Sequence, residues 1–404
     1  MTTRRSFLQS GAGAFAAVAL GDRPVDAANA PGINDTEIKI GQTMPYSGPS
    51  SAYGAIGRTE VAYFRMVNDL GGINGRKVKL ISLDDGYSPP KTVEQTRRLI
   101  EQEQVAFIFG SLGTAQNEAI RAYLNDNKIP QVFIASGFSM FADPQHFPWT
   151  IAFNPSNRTE GRVFAKHILT TKPDARIAVL YQNDDLGKDY LNGVKDALGA
   201  SHAAMLVKEA SYEVSEPTVD SQVITLQGSE ADILIIGANP KAASQALRKT
   251  YDLGWAPERY LGSTGSSIAS VLKPAGVDKS KGVITNYWRK DPADARWVDA
   301  PDYKEWAAFV GKYMTTKDLT DGFAVLGFAS AALMTYVLRH CGDDLSRENV
   351  MRQAASLKDY VGPMGVPGAR ANTSPTDYRV TKQLQLARFN GVSWEWFGDI
   401  LTDE

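Results

Sequence analysis

Past Ile33, short apolar runs alternate with longer stretches whose apolar positions recur every three to four residues. EIKIGQTMP, a helix around 57–70, KVKLISLDD, a helix over 90–102 and VAFIFG read as βαβαβ, the pattern of a parallel sheet. The alternation continues through IPQVFIAS, a helix around 158–170, ARIAVLYQND, a helix over 187–198 and AAMLVKEASY. A helix near 220–227, ADILIIGA and a helix over 241–253 follow. VAFIFG and DILIIG are apolar on consecutive positions, so helices are expected on both faces of their sheets. Near Asn286 the pattern changes: NYWRKDPADARWVDAPDYKEW is rich in aromatics, Pro and Asp and reads as a crossover into helices around 301–313 and 322–341. The closing KQLQLARFNGVSWEWFGDI predicts a hairpin with a tight turn at Asn390-Gly391, a pair that tolerates positive φ.

One junction carries candidate chemistry. In FGSLGTAQNEAI a strand breaks at Gly110 and Gly113 and passes directly into a helix starting near Thr114 or Ala115. Glycines there bring backbone amides close to a ligand, and the helix directs its positive end at an anion. A phosphate loop would place Gly-Lys-Ser/Thr at this point, and the chain does not. The residues alone leave two readings open, a plain strand-to-helix turn and a site for a solute anion.

Composition narrows the field. At 404 residues the chain is long enough for two domains. Its 43 Lys+Arg nearly balance 45 Asp+Glu, which gives no reason to expect a nucleic acid or an anionic membrane as partner. One cysteine, Cys341, and four scattered histidines give neither a disulfide framework nor a metal cluster by spacing, and no cofactor is expected. The first 30 residues read as an export peptide: TRRSFLQ precedes the short apolar GAGAFAAVAL, and small residues follow up to Ala30. The paired arginines followed by Phe-Leu resemble a twin-arginine signal, with cleavage after Ala27 or Ala30. GAGAFA also fits a dinucleotide fingerprint loosely, but no strand precedes it.

The segments KIGQTMPYSGPSSAYG, NDLGGINGRKVKLISLDDGYSPPKT, FGSLGTAQN, IPQVFIASG, RIAVLYQNDDLGKDY and ADILIIGANPKAASQALRKTYDLG stand in one order along the chain. In that order and spacing the chain resembles the periplasmic solute-binding proteins of the leucine/isoleucine/valine-binding family, the type I binding proteins of ABC importers, from about Thr36 to its end. The resemblance implies an α/β protein of two doubly wound parallel-sheet lobes joined by a three-crossing hinge. One lobe would comprise 36–155 plus 288–362, the other 156–287 plus 363–404, behind the 1–30 signal. It also implies a monomer in the periplasm that traps one carboxylate-bearing solute and presents it to permease subunits.

Carried over residue by residue, the resemblance implies a pocket. Leu112, Gly113 and Thr114 lie on the turn, Thr114 where the family has a carboxylate-binding hydroxyl. Ala135 and Gly137 fall where backbone and a second hydroxyl contribute, with Ser136 beside them as a replacement for that hydroxyl. Tyr53 and Phe323 match apolar walls, while Leu186 and Asn239 stand where relatives often carry aromatics. Tyr287 and Trp288 are further candidates for the cleft or for hinge packing. Thr264 stands where amino-acid binders carry an acid to pair with the ligand ammonium, and a threonine cannot carry that charge. Asp84, Asp85, Asp184 and Asp185 are conceivable substitutes, although acids after strands are commonly caps. The expected solute is a carboxylate lacking an amino group, with amino acids and amides still open. Tyr87 and Gly113 occupy positions that form a disulfide in many relatives, and both cysteines are absent together.

Two other functions fit an exported α/β protein: a hydrolase, and a ligand-sensing receptor or regulator of the same fold. The chain has no Gly-x-Ser-x-Gly, and His146 has no partner recognisable by spacing, so no enzymatic activity is expected.

Overall fold

The computed structural model describes residues 31–402, so the export peptide and its cleavage site lie outside the described residues. Two sheets organise the chain. The first is wholly parallel, in the order β2-β1-β3-β4-β5, from β1 (Glu37–Met44), β2 (Lys77–Asp84), β3 (Ile108–Phe109), β4 (Gln131–Ile134) and β5 (Thr150–Ala152). Three helices connect its strands: α1 (Gly54–Asp69), α2 (Pro89–Arg97) and α3 (Thr114–Asp126).

The second sheet runs β12-β11-β10-β9-β8-β6-β7. Its parallel part is β6 (Ile177–Gln182), β7 (Leu206–Tyr212), β8 (Ile233–Gly237), β9 (Glu258–Leu261) and β10 (Ile284–Tyr287). β11 (Gln383–Phe389) and β12 (Trp394–Thr402) add antiparallel at one edge, so this sheet is mixed. Helices α4 (Asn157–Thr171), α5 (Asp185–His202), α6 (Asp220–Gln227) and α7 (Pro240–Asp252) pack around it, and two short helices, α8 (Lys273–Ala275) and α9 (Val277–Ser280), precede β10.

The strand patterns explain the layering. β8 is buried at every position and β4 likewise, because helices cover both faces of these interior strands, whereas the edge strands β2 and β7 keep exposed lysines or acids. The chain leaves the first sheet after β5 and enters α4 beside the second. After β10 it returns, and α10 (Pro301–Tyr313) and α11 (Gly322–His340) pack against α1, with α12 (Arg347–Ala354) beyond them. It crosses a third time to place β11 and β12 in the second sheet.

α11 is the helix among the described residues long and apolar enough to cross a membrane, but it is almost wholly buried against α1. Their approach requires Gly327, where a Cβ would stand 2.3 Å from the Ile56 carbonyl. That contact sets Phe323 at the start of α11 edge-on to Tyr53, their ring centroids 4.9 Å apart. The hairpin departs from expectation. Phe389 pairs with Trp394, and the connection is the four-residue 390–393, in which the Asn390 side chain accepts from the amides of Val392 and Ser393.

Candidate functional site

Between the two sheets lies a cavity of about 460 Å³, reached by the carboxyl-terminal ends of strands from both. Open α/β sheets bind ligands at this end. From the first sheet, the segment after β1 supplies Tyr53, the turn after β3 supplies Leu112 and Gly113, and the segment after β4 supplies Ala135, Ser136 and Gly137. From the second, Leu186 opens α5 and Ser263 and Thr264 follow β9. Trp288 and Arg289 come from the crossing after β10, and Phe323 and Leu326 from α11.

The Gly113 turn is built for close approach. Gly113 has φ +105° and is the residue before α3, whose first amides receive no side-chain cap. By contrast α4, α5 and α7 are capped by Ser156, Asp184 and Asn239. A Cβ at Gly113 would meet the Gln116 side chain at 2.1 Å. The Asn117 amide group ties the loop down by donating to the carbonyls of Ser111 (3.0 Å) and Gly113 (2.6 Å). Thr114 is fully buried, and its Oγ1 lies 2.7 Å from Ser136 Oγ, so one hydroxyl proton of the pair is used between them and one remains to be donated. Tyr87 lies against this turn, its ring 3.1 Å from the position of a Gly113 Cβ.

Nine residues named from the sequence therefore share the cavity wall: Tyr53, Leu112, Gly113, Ala135, Ser136, Gly137, Leu186, Thr264 and Phe323. Thr114 stands directly behind Ser136. Asn239 is placed elsewhere: it caps α7 through the Ala242 amide and bonds Gln182 and the Tyr212 hydroxyl, because the residue before Pro240 is wanted as a helix cap. Tyr287 packs on Trp394 and Trp396, whereas Trp288 reaches the cavity.

No aspartate or glutamate lines this cavity. Asp84 accepts from the Ser47 hydroxyl and the amides of Tyr46, Ser47 and Gly86; Asp85 accepts from Tyr87 N and Thr92 Oγ1. Asp184 caps α5 and accepts from Gln182. Thr264 faces the cavity, with its hydroxyl donated to the Ala238 carbonyl at 3.1 Å. Glu160 lies just behind Ser263 and accepts from its amide (2.8 Å) and hydroxyl (2.6 Å). Burial outweighs those bonds and pushes the Glu160 pKa up to about 7.

Arg289 is the one charged side chain on the wall, and nothing in the spacing of the sequence singled it out. It is 8% exposed, and burial pulls its guanidinium below the usual arginine range. Its charge sits 4.7 Å from the Trp288 ring centroid. The signal available in the sequence was its place beside Trp288 in the crossover.

No histidine lines the cavity. His146 is exposed and bonded to Asp143 at 2.7 Å, and His167 bonds the Tyr260 hydroxyl, so neither activates the cavity's serines. Among the described residues no cluster of three His, Cys, Asp or Glu could hold a metal. Cys341 is buried and free, and its burial pushes its pKa up to about 12.

Comparison with known proteins places this geometry. Residues 37–392 match the family model described as periplasmic binding protein. An amino acid binding protein of Pseudomonas aeruginosa is 24% identical over 305 residues, 73% of this chain and 76% of the relative. A Thermus thermophilus branched chain amino acid ABC transporter structure with bound valine superposes with a TM-score of 0.83 at 13% identity, over 92% of this chain and 98% of that one. An R. palustris ABC transporter solute-binding protein in complex with 4-hydroxybenzoate superposes with a TM-score of 0.76 at 16% identity, over 91% and 97%. With two parallel-dominated sheets, a cavity between their carboxyl ends and a family match over nearly all described residues, the chain belongs to the periplasmic binding protein family.

Proposed function

We propose that the chain is the solute-binding component of an ABC importer, exported to the periplasm by its twin-arginine-type signal, and that it carries one small carboxylate-bearing solute without altering it. The single observation that carries this reading is the cavity itself, walled by the carboxyl ends of both sheets and bonded shut across the gap. Hydrogen bonds of three residue pairs cross between the sheets' residues: Tyr53 to Thr264, Gln182 to Tyr87 at 3.4 Å, and Ser139 to Asp189, where hydroxyl and amide both donate at 2.8 Å. The uncapped start of α3 and the Thr114–Ser136 hydroxyl pair offer donors to a carboxylate, and Tyr53, Phe323, Leu112 and Leu186 offer apolar walls.

Binding works by differential affinity. A solute touching both lobes stabilises the arrangement in which they meet, and a permease reads the surface composed of both. The lobes are taken as 36–155 plus 288–362 and 156–287 plus 363–404, and the working unit as a monomer. The neighbours fit this role: one structure holds valine and another 4-hydroxybenzoate, both carboxylates. A thermal-shift screen over amino acids, aromatic acids, aliphatic acids and amides tests it, since selective binding raises the unfolding midpoint by mass action. A carboxylate class should raise it with saturation and without turnover. A response confined to uncharged solutes, or chemical conversion of the ligand, would overturn the reading.

A further inference from the structure

Arg289 is buried yet has no ionic partner. Its side chain makes no hydrogen bond and no ion pair with any described residue, although its backbone is fixed by a bridge to Gly365. The acids nearest in sequence and field are all committed elsewhere. Asp291 accepts from the amides of Ala293 (2.8 Å) and Ile268 (3.5 Å), Asp321 from the Phe323 amide (2.9 Å), and Glu160 from Ser263. Asp294 pairs with Arg296. Behind the crossing, Arg289 borders a second cavity of about 560 Å³, lined by Phe153, Leu333, Tyr360 and Val380 among others, and no carboxylate lines that side either. The guanidinium is held against Trp288, which is itself set edge-on to Phe153 with centroids 5.7 Å apart. A buried cation held in a fixed place without an acceptor is unfavourable unless an anion arrives from outside the chain.

We propose that Arg289 is the charge partner of the solute in the cleft and sets its class: a carboxylate that carries no ammonium group. This rests on the solute-binding reading above. The planar fork of a guanidinium matches a carboxylate with two parallel hydrogen bonds. An amino-acid zwitterion brings a cation as well, and the cavity wall offers it no carboxylate, while the Thr264 hydroxyl proton is already given to Ala238. An ammonium there would lie in the field of Arg289 with only neutral acceptors. A primary amide has the shape of the acid but no charge to offer the guanidinium. The cavity thus selects an acid over both its amide and its amino-acid counterpart.

Isothermal titration of the intact mature protein with two matched sets tests this: 4-methylpentanoate, 4-methylpentanamide and leucine; 4-hydroxybenzoate, 4-hydroxybenzamide and 4-hydroxyphenylglycine. In at least one set the acid should bind more tightly than both counterparts by at least about 30-fold. Arg289→Met should weaken the acid by about 100-fold and its amide by less than about threefold, and Arg289→Lys should weaken the acid by about tenfold, since it keeps the charge and loses the fork. Tighter binding of either amino acid than of its acid overturns the proposal without needing any variant. So does undiminished acid affinity in a folded Arg289→Met, which would leave the importer reading standing. Failure of both sets and of the wider solute panel to bind would remove that reading, and this inference with it.

Discussion

The Tyr53 hydroxyl donates to the Thr264 carbonyl at 3.2 Å, joining a residue at the start of α1 to one just after β9, across the cavity and 211 positions apart in the chain. Tyr53 is 6% exposed and its ring is set edge-on by Phe323, so the bond depends on packing inside the first lobe. It forms only when the lobes meet. Tyr53→Phe keeps the ring and removes the bond, and should weaken solute affinity by about 0.5 to 1.5 kcal/mol. The ligand-free protein should also show a larger radius of gyration by small-angle scattering. Unchanged affinity and radius would remove this bond from the closure.

Thr114→Ala should weaken carboxylate binding by about 0.5 to 1.5 kcal/mol, by removing the hydroxyl that orients Ser136 on the cavity wall. Ser136 shares the same hydroxyl pair, so the double variant should cost less than the sum of the two single ones. Strict additivity in the titration cycle would show that the two hydroxyls act separately.

Thr264→Glu places a carboxylate in the cavity that holds Arg289. Simple acids should then bind poorly, through like-charge repulsion and competition for the guanidinium, while leucine should gain affinity. Better acid binding in this variant would contradict the charge assignment of the cavity.

Stability should depend on pH through two buried acids. Glu60 accepts from Gln42 Nε2 and from Ser330 Oγ at 2.7 Å, and burial pushes its pKa up to about 8; that of Glu160 rises to about 7. An unfolded glutamate titrates near 4.5, so between that value and 8 the folded state holds more protons. The contribution is complete below the unfolded value and is lost as pH rises through the folded ones. The unfolding midpoint of the ligand-free protein should fall between about pH 5 and pH 8, and Glu60→Gln should flatten that fall. An identical slope in Glu60→Gln would clear Glu60 of the effect.

Gly327→Ala should destabilise the α1–α11 contact by about 1 to 3 kcal/mol, because its Cβ meets the Ile56 carbonyl and backbone cannot give way cheaply. Differential scanning calorimetry should show a midpoint lower by a few degrees. An unchanged midpoint would mean that the two helices separate at little cost.

Helices with strong local signals were legible to the residue: Asp220–Gln227, and Pro301–Tyr313, where proline opens the first turn. Short strands such as Glu258–Leu261 and Ile284–Tyr287 were not, since four residues leave too little periodicity and only tertiary pairing makes them strands. The cavity wall was largely legible because turns after strands announce themselves by glycine, as at Gly113. Asn239 was misplaced by local likeness, since the same asparagine serves a cap or a pocket. Arg289 was hidden for a different reason. In WRKDPADAR it stands among acids that look like its partners, yet in space Lys290 goes to Asp302, Arg296 to Asp294 and Asp291 to backbone amides. Being unpaired is a property of the fold, and no spacing in the sequence displays it.

Whether one unaltered carboxylate sits between the lobes of each chain is tested most directly by native mass spectrometry of the mature protein mixed with the acid panel. The expected result is a mass increase of one intact acid per chain, displaced by excess of the same acid and lost in Arg289→Met. Retention of only uncharged solutes, or a bound species whose mass shows chemical conversion, would contradict it.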